Sequence, residues 1–376
     1  MNEFELLCAC AASKPPAESA ARTANWSADV DWNELLRLAE HHGALPLLAR
    51  NLLPYSSRFS PEAEQSLRSA FDANLRRNLW FASELVRIVE HFERRNLFVV
   101  PYKGPVLAES VYGDLALRSF GDLDLLVAPA DLEGAKDALG DLGYRPSEEN
   151  NAATQRLERS FGYELAFDSS NGKHLVELQW ALLPHFYGVS LRVEDLLARA
   201  GRATVGGRDV PSLAPEDLLL VLCLHAAKHL WMRLMWITDI AETMRSQTID
   251  YAVVLSRARA LGIVRILGVS VWLTGHLLGA QLPKAAEEIV GSDPQIEILG
   301  REFAERLARA AYYDFESFAY FRLILRLRER RRDQLRYFWR LIWTPGAGDV
   351  AAIRLPEPLF PAYRMVRVLR LLRKLV

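Results

Sequence analysis

The chain is short of cysteine: Cys8, Cys10 and Cys223 are the three among 376 residues. Three thiols build no disulfide framework, and no Cys/His cluster completes a zinc site. Reduced thiols fit a cytoplasmic protein, which is the expected location. Long apolar runs are missing too. The longest, Ile266 to Leu282, is interrupted by His276 and by glycines, and it falls short of the roughly 20 residues a spanning helix needs. The apolar stretch Leu6 to Ala12 follows Glu3 and Glu5, where a leader peptide would carry positive charge. Neither sign of charge dominates, since 46 Lys and Arg face 47 Asp and Glu. The total therefore gives no sign of a chain that binds nucleic acid over its whole surface. A P-loop, a dinucleotide-binding G-x-G-x-x-G and a G-x-S-x-G around Ser83, Ser110 or Ser119 are all absent, which excludes the enzymes built on those motifs. Repeats and low-complexity segments are absent as well. Half the residues are hydrophobic and a quarter charged, so disorder is excluded and a sizeable core is available.

What is present changes character along the chain. Residues 1 to 95 carry helical spacing, for example Leu75, Leu79, Ala82, Leu85 and Val89, and Ser60-Pro61 places a capping residue before a first-turn proline. Leu97 to Val100 is a short buried-strand run. Gly104-Pro105 then opens a helix, and Ser119 to Val127 alternates as a strand does. Pro129 to Asp131 starts another helix, with Gly143 as its stop. Tyr163 to Phe167 and His174 to Leu182 are two further strands, joined by the turn signal Asn171-Gly172. From Pro215 onward no strand is expected. Helical patterns cover 217–245, 251–280 and 297–343, and the proline-rich stretch Pro345 to Pro361 leads to a last short helix. The expected fold is α+β: a small mixed sheet within 96–210, a helical region over 1–95, and a helical domain with a basic tail over 211–376.

Chemistry concentrates in Lys103-Gly104, Arg118 and Asp122-Leu123-Asp124. Asp122 and Asp124 lie two apart on a strand, so their carboxylates point the same way, about 7 Å apart along the backbone. Two like charges on a largely apolar strand are costly, and a divalent cation resolves the repulsion. Mg²⁺ takes oxygen ligands and commonly uses one or two carboxylates plus substrate phosphates. Glu177, on the alternating strand Leu175 to Trp180, offers a third carboxylate. A neighbouring D-x-D and Glu suit two-metal phosphoryl chemistry. Gly104 at a helix start would let backbone N–H groups approach a phosphate, with Lys103 and Arg118 as supporting cations. Asp122 and Asp124 alone would far more often be two solvated residues at a strand edge. The order strand, glycine, helix, D-x-D strand, helix, strand with Glu is what favours the metal.

Lys103-Gly104-Pro-Val-Leu107, Tyr112, Arg118 and Gly121-Asp122-Leu-Asp124-Leu-Leu-Val127 resemble the uncharacterised nucleotidyltransferase family of the DNA polymerase β-like superfamily. A second block also resembles it: Pro215-Glu-Asp217-Leu-Leu219, His225-Ala-Ala-Lys228-His229, Trp231 and Asp239. Together they cover roughly residues 80 to 245. The resemblance implies metal-dependent transfer of NMP from an NTP to an acceptor. It leaves the acceptor open: a small molecule, a peptide, a protein or a tRNA. Two departures stand out. Lys103-Gly104 replaces the Gly-Gly or Gly-Ser of most superfamily members. Glu177-Leu178-Gln179 occupies a place where this branch often has acid, apolar residue, histidine.

His225 and His229 share one helical face. They lack the Glu beside the first histidine that a zincin requires, so a contact to nucleotide or acceptor, or a buried structural pair, is expected. Lys228 on the same helix is a candidate phosphate contact. Trp180, Trp231, Trp236 and Trp272 are expected in the core. Eight arginines against Glu329 and Asp333 give the segment Arg322 to Arg340 a charge of +6, and five cations from Arg364 to Lys374 add +5. With a chain total of −1, the rest carries −12. Such a tail suits RNA, an anionic membrane surface or an acidic partner, or it pairs with the acidic body.

The expectation is therefore an Mg²⁺- or Mn²⁺-dependent nucleotidyltransferase. Asp122, Asp124 and Glu177 are its catalytic and metal-holding residues, and Lys103, Gly104, Arg118, His225, Lys228 and His229 bind the NTP. The alternative is a non-catalytic nucleotide- or RNA-binding module on the same fold.

Overall fold

The structure is a computed structural model that describes residues 2–26, 30–147, 152–169, 175–311, 314, 317–353 and 355–373. The Asn171-Gly172 turn lies outside these residues. Five strands form the main sheet: β1 (Val99–Pro101), β2 (Asp122–Val127), β3 (Tyr144–Pro146), β4 (Glu164–Ser169) and β5 (Leu175–Gln179). Their order is β1-β2-β5-β4-β3. Only β2 and β5 run parallel, with Asp124 opposite Glu177; the other pairs are antiparallel. This is the small mixed sheet of an α+β fold with helical flanks.

Strand alternation decides what each face meets. Leu123, Leu125 and Val127 of β2, with Val176 and Leu178 of β5, join one core, which is roofed by Phe81, Leu85, Ile88 and Phe92 of the helix Pro61–Arg94. Asp124, Leu126, Glu177 and Gln179 point the other way. Leu126 enters a second, larger core, so this face is polar at one end and apolar at the other. That second core joins the N-terminal helices, through Leu6, Leu7, Leu38 and Leu47, to the helical region after residue 213, through Leu219, Trp231, Ile237 and Val269. The cores thus follow space rather than chain order: residues before 60 and after 213 pack together, with the sheet between them in sequence.

The helix Pro61–Arg94 starts where Ser60 Oγ accepts a hydrogen bond from the Ala63 amide at 3.2 Å. Its buried Asn74 and Asn78 hold the loop that leads into β2. Asn74 donates to the Ala116 carbonyl at 2.9 Å, and Asn78 to those of Leu115 and Arg118 at 2.6 and 2.7 Å.

Each expected long C-terminal helix is broken, the first two into a pair of helices and the third into three. The first becomes Pro215–Lys228 and Leu234–Ser246. Between them Leu230 and Trp231 adopt φ of 50° and 51°, a conformation that costs residues with a Cβ of order 1–3 kcal/mol each. Burial of Trp231 and its indole hydrogen bond to Ser270 Oγ, 3.1 Å, offset that cost. The break folds the second helix back along the first. The others divide into Tyr251–Leu261 and Val264–Leu278, then Gln295–Ala308, Phe318–Arg326 and Arg331–Trp343. An additional hairpin, β6 (Gly201–Val205) and β7 (Arg208–Ser212), turns on Gly206-Gly207 with φ of 56° and 79°, the positive values that a two-residue hairpin turn needs. The last helix is Tyr363–Arg373. Among the described residues, no helix is long and apolar enough to cross a membrane.

Candidate active site

The polar end of β2 and β5 is the floor of a cleft of about 660 Å³, walled by the helices 215–228 and 234–246. Asp122, Asp124, Glu177, Lys103, Arg118, His225, Lys228 and His229 all line it. Residues from both blocks of sequence, more than 100 positions apart, therefore meet in one place.

On the floor, the Lys103 ammonium lies 2.5 Å from Asp124 Oδ1, with both side chains almost fully buried. Burial pushes the lysine pKa down, but the charges of Asp124, Asp122 and Glu177 push harder and hold it above its ordinary value. The carboxylates are not balanced in return. Burial and the neighbouring Asp124 raise Asp122, and the same two causes push Glu177 up to about 8. Asp124 Oδ2 is buried with no hydrogen-bond partner, which is costly for a carboxylate oxygen.

Gln179 connects the group. The Tyr102 hydroxyl donates to Gln179 Oε1 at 2.8 Å, which turns Nε2 toward the acids. Nε2 then donates to Glu177 at 3.1 Å, Asp124 at 3.3 Å and Glu164 at 3.4 Å. Tyr102 and Glu164 were not among the expected site residues. Glu164 was findable, because strand alternation and the Asn171-Gly172 turn together place it beside the Glu177 strand.

Among the described residues, no group of three or more His, Cys, Asp or Glu side chains is arranged to hold a metal ion. The expected triad Asp122, Asp124 and Glu177 shares one floor, but Lys103 and Gln179 occupy its inner oxygens. The donor set still fits a hard cation. It is all oxygen, it has a deficit of positive charge, and the unpartnered Asp124 Oδ2 is an available lone-pair donor.

Two expected phosphate contacts need correction. Gly104 does not line the cleft. It has φ of +55°, and a Cβ there would lie 3.3 Å from the Asp122 carbonyl oxygen. Glycine is needed for that backbone conformation and for close packing of the helix start on β2. Arg118 reaches the cleft wall, but its Nε and Nη2 bind Asp239 at 2.8 and 2.9 Å, and Tyr112 donates to the same carboxylate at 2.7 Å. This closed, buried pair ties the loop before β2 to helix 234–246.

The wall above the floor is aromatic and cationic. His225, His229 and Trp236 cluster with ring centroids 4.9–5.3 Å apart. Burial, then Lys103, holds His225 well below its ordinary pKa; burial, then Lys228, holds His229 near 3. Both imidazoles are therefore neutral. The Lys228 ammonium sits over the Tyr163 ring, 4.8 Å from its centroid, and 3.9 Å from Glu164. Burial lowers its pKa against the pull of Glu164. Arg77 and Arg233 line the cleft as well. Arg77, Tyr163 and Arg233 were not expected: two lie on helical patterns where nothing separates a cleft cation from a solvated one. Trp236, expected in the core, is instead part of this wall.

A five-stranded mixed sheet with helical flanks and a carboxylate-floored cleft define the class as an α+β protein. The chain belongs to the family described as uncharacterised nucleotidyltransferase, whose model matches residues 28–279. No curated protein and no solved structure matched it.

Proposed function

We propose that this chain moves a nucleoside monophosphate from a nucleoside triphosphate to an acceptor hydroxyl and releases pyrophosphate. The charge deficit on the cleft floor carries the reading. Three carboxylates meet there around one ammonium, and the Asp124 oxygen that would bind a cation has no partner. Asp122, Asp124 and Glu177 are the residues that would hold Mg²⁺ or Mn²⁺. Bound there, the ion supplies positive charge that lowers the acceptor hydroxyl pKa and steadies the departing pyrophosphate.

The remaining roles fall to the chain itself. Lys103, Lys228, Arg77 and Arg233 bring four cations to the triphosphate. Lys103 exchanges its contact with Asp124 for a phosphate oxygen once the floor is otherwise neutralised. The acceptor oxygen bonds to the α-phosphorus, the α–β bridging P–O bond breaks, and the pair of electrons leaves with pyrophosphate. In this reading Glu177 takes the acceptor proton; its raised pKa near 8 belongs to the metal-free floor, and a bound cation would lower it. The neutral His225, His229 and Trp236 offer aromatic faces to the nucleobase or to an aromatic acceptor. Buried, free Cys8, Cys10 and Cys223 suit a reducing compartment such as the cytoplasm.

A second reading is binding without transfer, favoured by one observation: Lys103 already supplies Asp124 with a cation. Incubation with each α-labelled NTP, Mg²⁺ and cell extract separates the two. Transfer predicts a labelled product and pyrophosphate. NTP binding with no pyrophosphate from any nucleotide refutes transfer.

A further inference from the structure

The C-terminal charge divides into two populations. One is used inside the molecule. Arg367 and Arg370 bind the buried Asp349, Arg326 binds Glu302, and Arg328 lies buried 3.9 Å from Asp333. The other faces outward, on helices 331–343 and 363–373, which pack against one another. Arg331, Arg332, Arg336, Arg364 and Arg373 are exposed there. The single acid on these two helices, Asp333, is buried.

Apolar side chains stand among those arginines. Leu335, Phe338 and Trp339 on the first helix, with Met365, Leu369 and Leu372 on the second, are each more than half exposed. Isolated exposed hydrophobes are ordinary, whereas a cluster of six on two touching helices is an interaction surface. Trp339 and Trp343 of one helix and Arg364 of the other line a single groove of about 410 Å³, so an aromatic side and a cationic side meet where the two helices adjoin. Each helix is anchored narrowly: Tyr363 is the buried residue of the second, and Asp333, Tyr337 and Leu341 are those of the first.

We propose that this surface docks on an anionic lipid bilayer, lying in the headgroup region with its apolar side chains reaching the acyl boundary. Amphipathic helices that lie on membranes combine Arg or Lys with Trp, Phe and Leu in this way, and anionic lipid attracts the cations. Alternative occupants fit less well. A nucleic-acid backbone would satisfy the arginines but leave five aliphatic and phenyl side chains uncovered. A two-fold pairing of this face with itself would set arginine against arginine. The proposal does not depend on the reaction proposed for the cleft.

Co-sedimentation of the full chain with phosphatidylcholine vesicles, and with vesicles that also contain phosphatidylglycerol, tests it. Binding is expected to the anionic vesicles alone, with a blue shift in tryptophan emission that is smaller in Trp339→Ala. Joint F338A and W339A should weaken binding tenfold or more. Neutralising Arg331, Arg332 and Arg336 to Gln should weaken it roughly a hundredfold, about fivefold per arginine. These side chains are exposed, and an unchanged melting curve verifies that each variant folds. Binding to neither vesicle, or equal binding to both, overturns the proposal. So does salt-sensitive tRNA binding that the arginine variant loses and the aromatic variant keeps. A concentration-dependent dimer broken by F338A and W339A overturns it in favour of self-association.

Discussion

Two buried ion pairs, each with at least one member on the cleft, differ in how completely they are satisfied. In Arg118–Asp239, both carboxylate oxygens are bonded, and Tyr112 adds a further donor. In Lys103–Asp124, one oxygen holds the ammonium and the amide of Gln179, and the other holds nothing. A buried pair by itself is weak evidence for either stability or function. The closed pair fastens a loop to a helix. The open pair, beside two more carboxylates whose pKa values are raised, leaves a valence for a ligand.

Asp124→Asn breaks that comparison most severely. It should abolish nucleotidyl transfer, a loss of about a thousandfold or more, because charge stabilisation by the held cation disappears. It also strands the Lys103 ammonium in a buried place, so stability should fall as well. Adding Lys103→Met should restore the unfolding midpoint in urea and leave pyrophosphate release undetectable. Recovery of turnover in the double variant would sink the assignment.

Asp239→Asn attacks the closed pair. Stripping Arg118 of its partner should cost about 3–5 kcal/mol of stability, read from denaturant unfolding, with a smaller loss when Arg118→Met accompanies it. A variant with normal stability and lost NTP affinity would make Arg118 a ligand contact instead. Gly104→Val comes next. Its left-handed backbone and the 3.3 Å approach to the Asp122 carbonyl predict a cost of about 1–3 kcal/mol. Titration calorimetry should show weaker NTP binding alongside, since Asp122 moves with its strand. Unchanged unfolding and unchanged affinity would together refute that role.

Near neutral pH the smallest expected effect is that of His229, which acts on acid sensitivity. The His229 pKa is about 3 in the folded protein against an ordinary 6.5. Between these values the unfolded chain binds a proton that the folded one excludes, so stability falls as pH drops through that range. His229→Phe should flatten part of this acid sensitivity, measured as unfolding midpoint against pH. An unaltered slope would show that the imidazole is protonated in the fold.

The carboxylate-bearing strand was legible because its message is local. Asp122-Leu-Asp124 with an alternating apolar partner set, and Glu177 on a second alternating run, need no knowledge of the rest of the chain. Long-range pairings were not legible. Lys103 meets Asp124 because β1 and β2 pair with Pro101 opposite Leu125, and nothing in either segment names that register. Arg118 meets Asp239 across 121 positions, so its cationic character alone suggested a phosphate contact. The break at Leu230 and Trp231 carries no Gly or Pro and keeps the helical apolar period, because tertiary packing of the indole imposes it. Hairpin β6–β7 was missed for another reason: its turn signal Gly206-Gly207 was present, but Gly201 to Val205 alternates too weakly to mark a strand.

The shared core of the chain's two ends sets an order of events during synthesis. Leu6, Leu7 and Cys10 are fully buried. Ser13 donates through its backbone to Glu242 at 2.7 Å, and the Met235 amide donates to the His42 carbonyl at 3.0 Å. Glu242 and Met235 are made about 190–230 residues after the groups they meet. Synthesis at about 5–20 residues per second leaves the N-terminal helices waiting some ten seconds or more with an apolar face uncovered, while the sheet and the helix Pro61–Arg94 already have their own core. The sheet unit is therefore free to form first, and closure of the helical body around it then builds the wall of the cleft, so an early-folding intermediate would have the carboxylate floor before it had His225, Lys228 or His229 to complete a binding site.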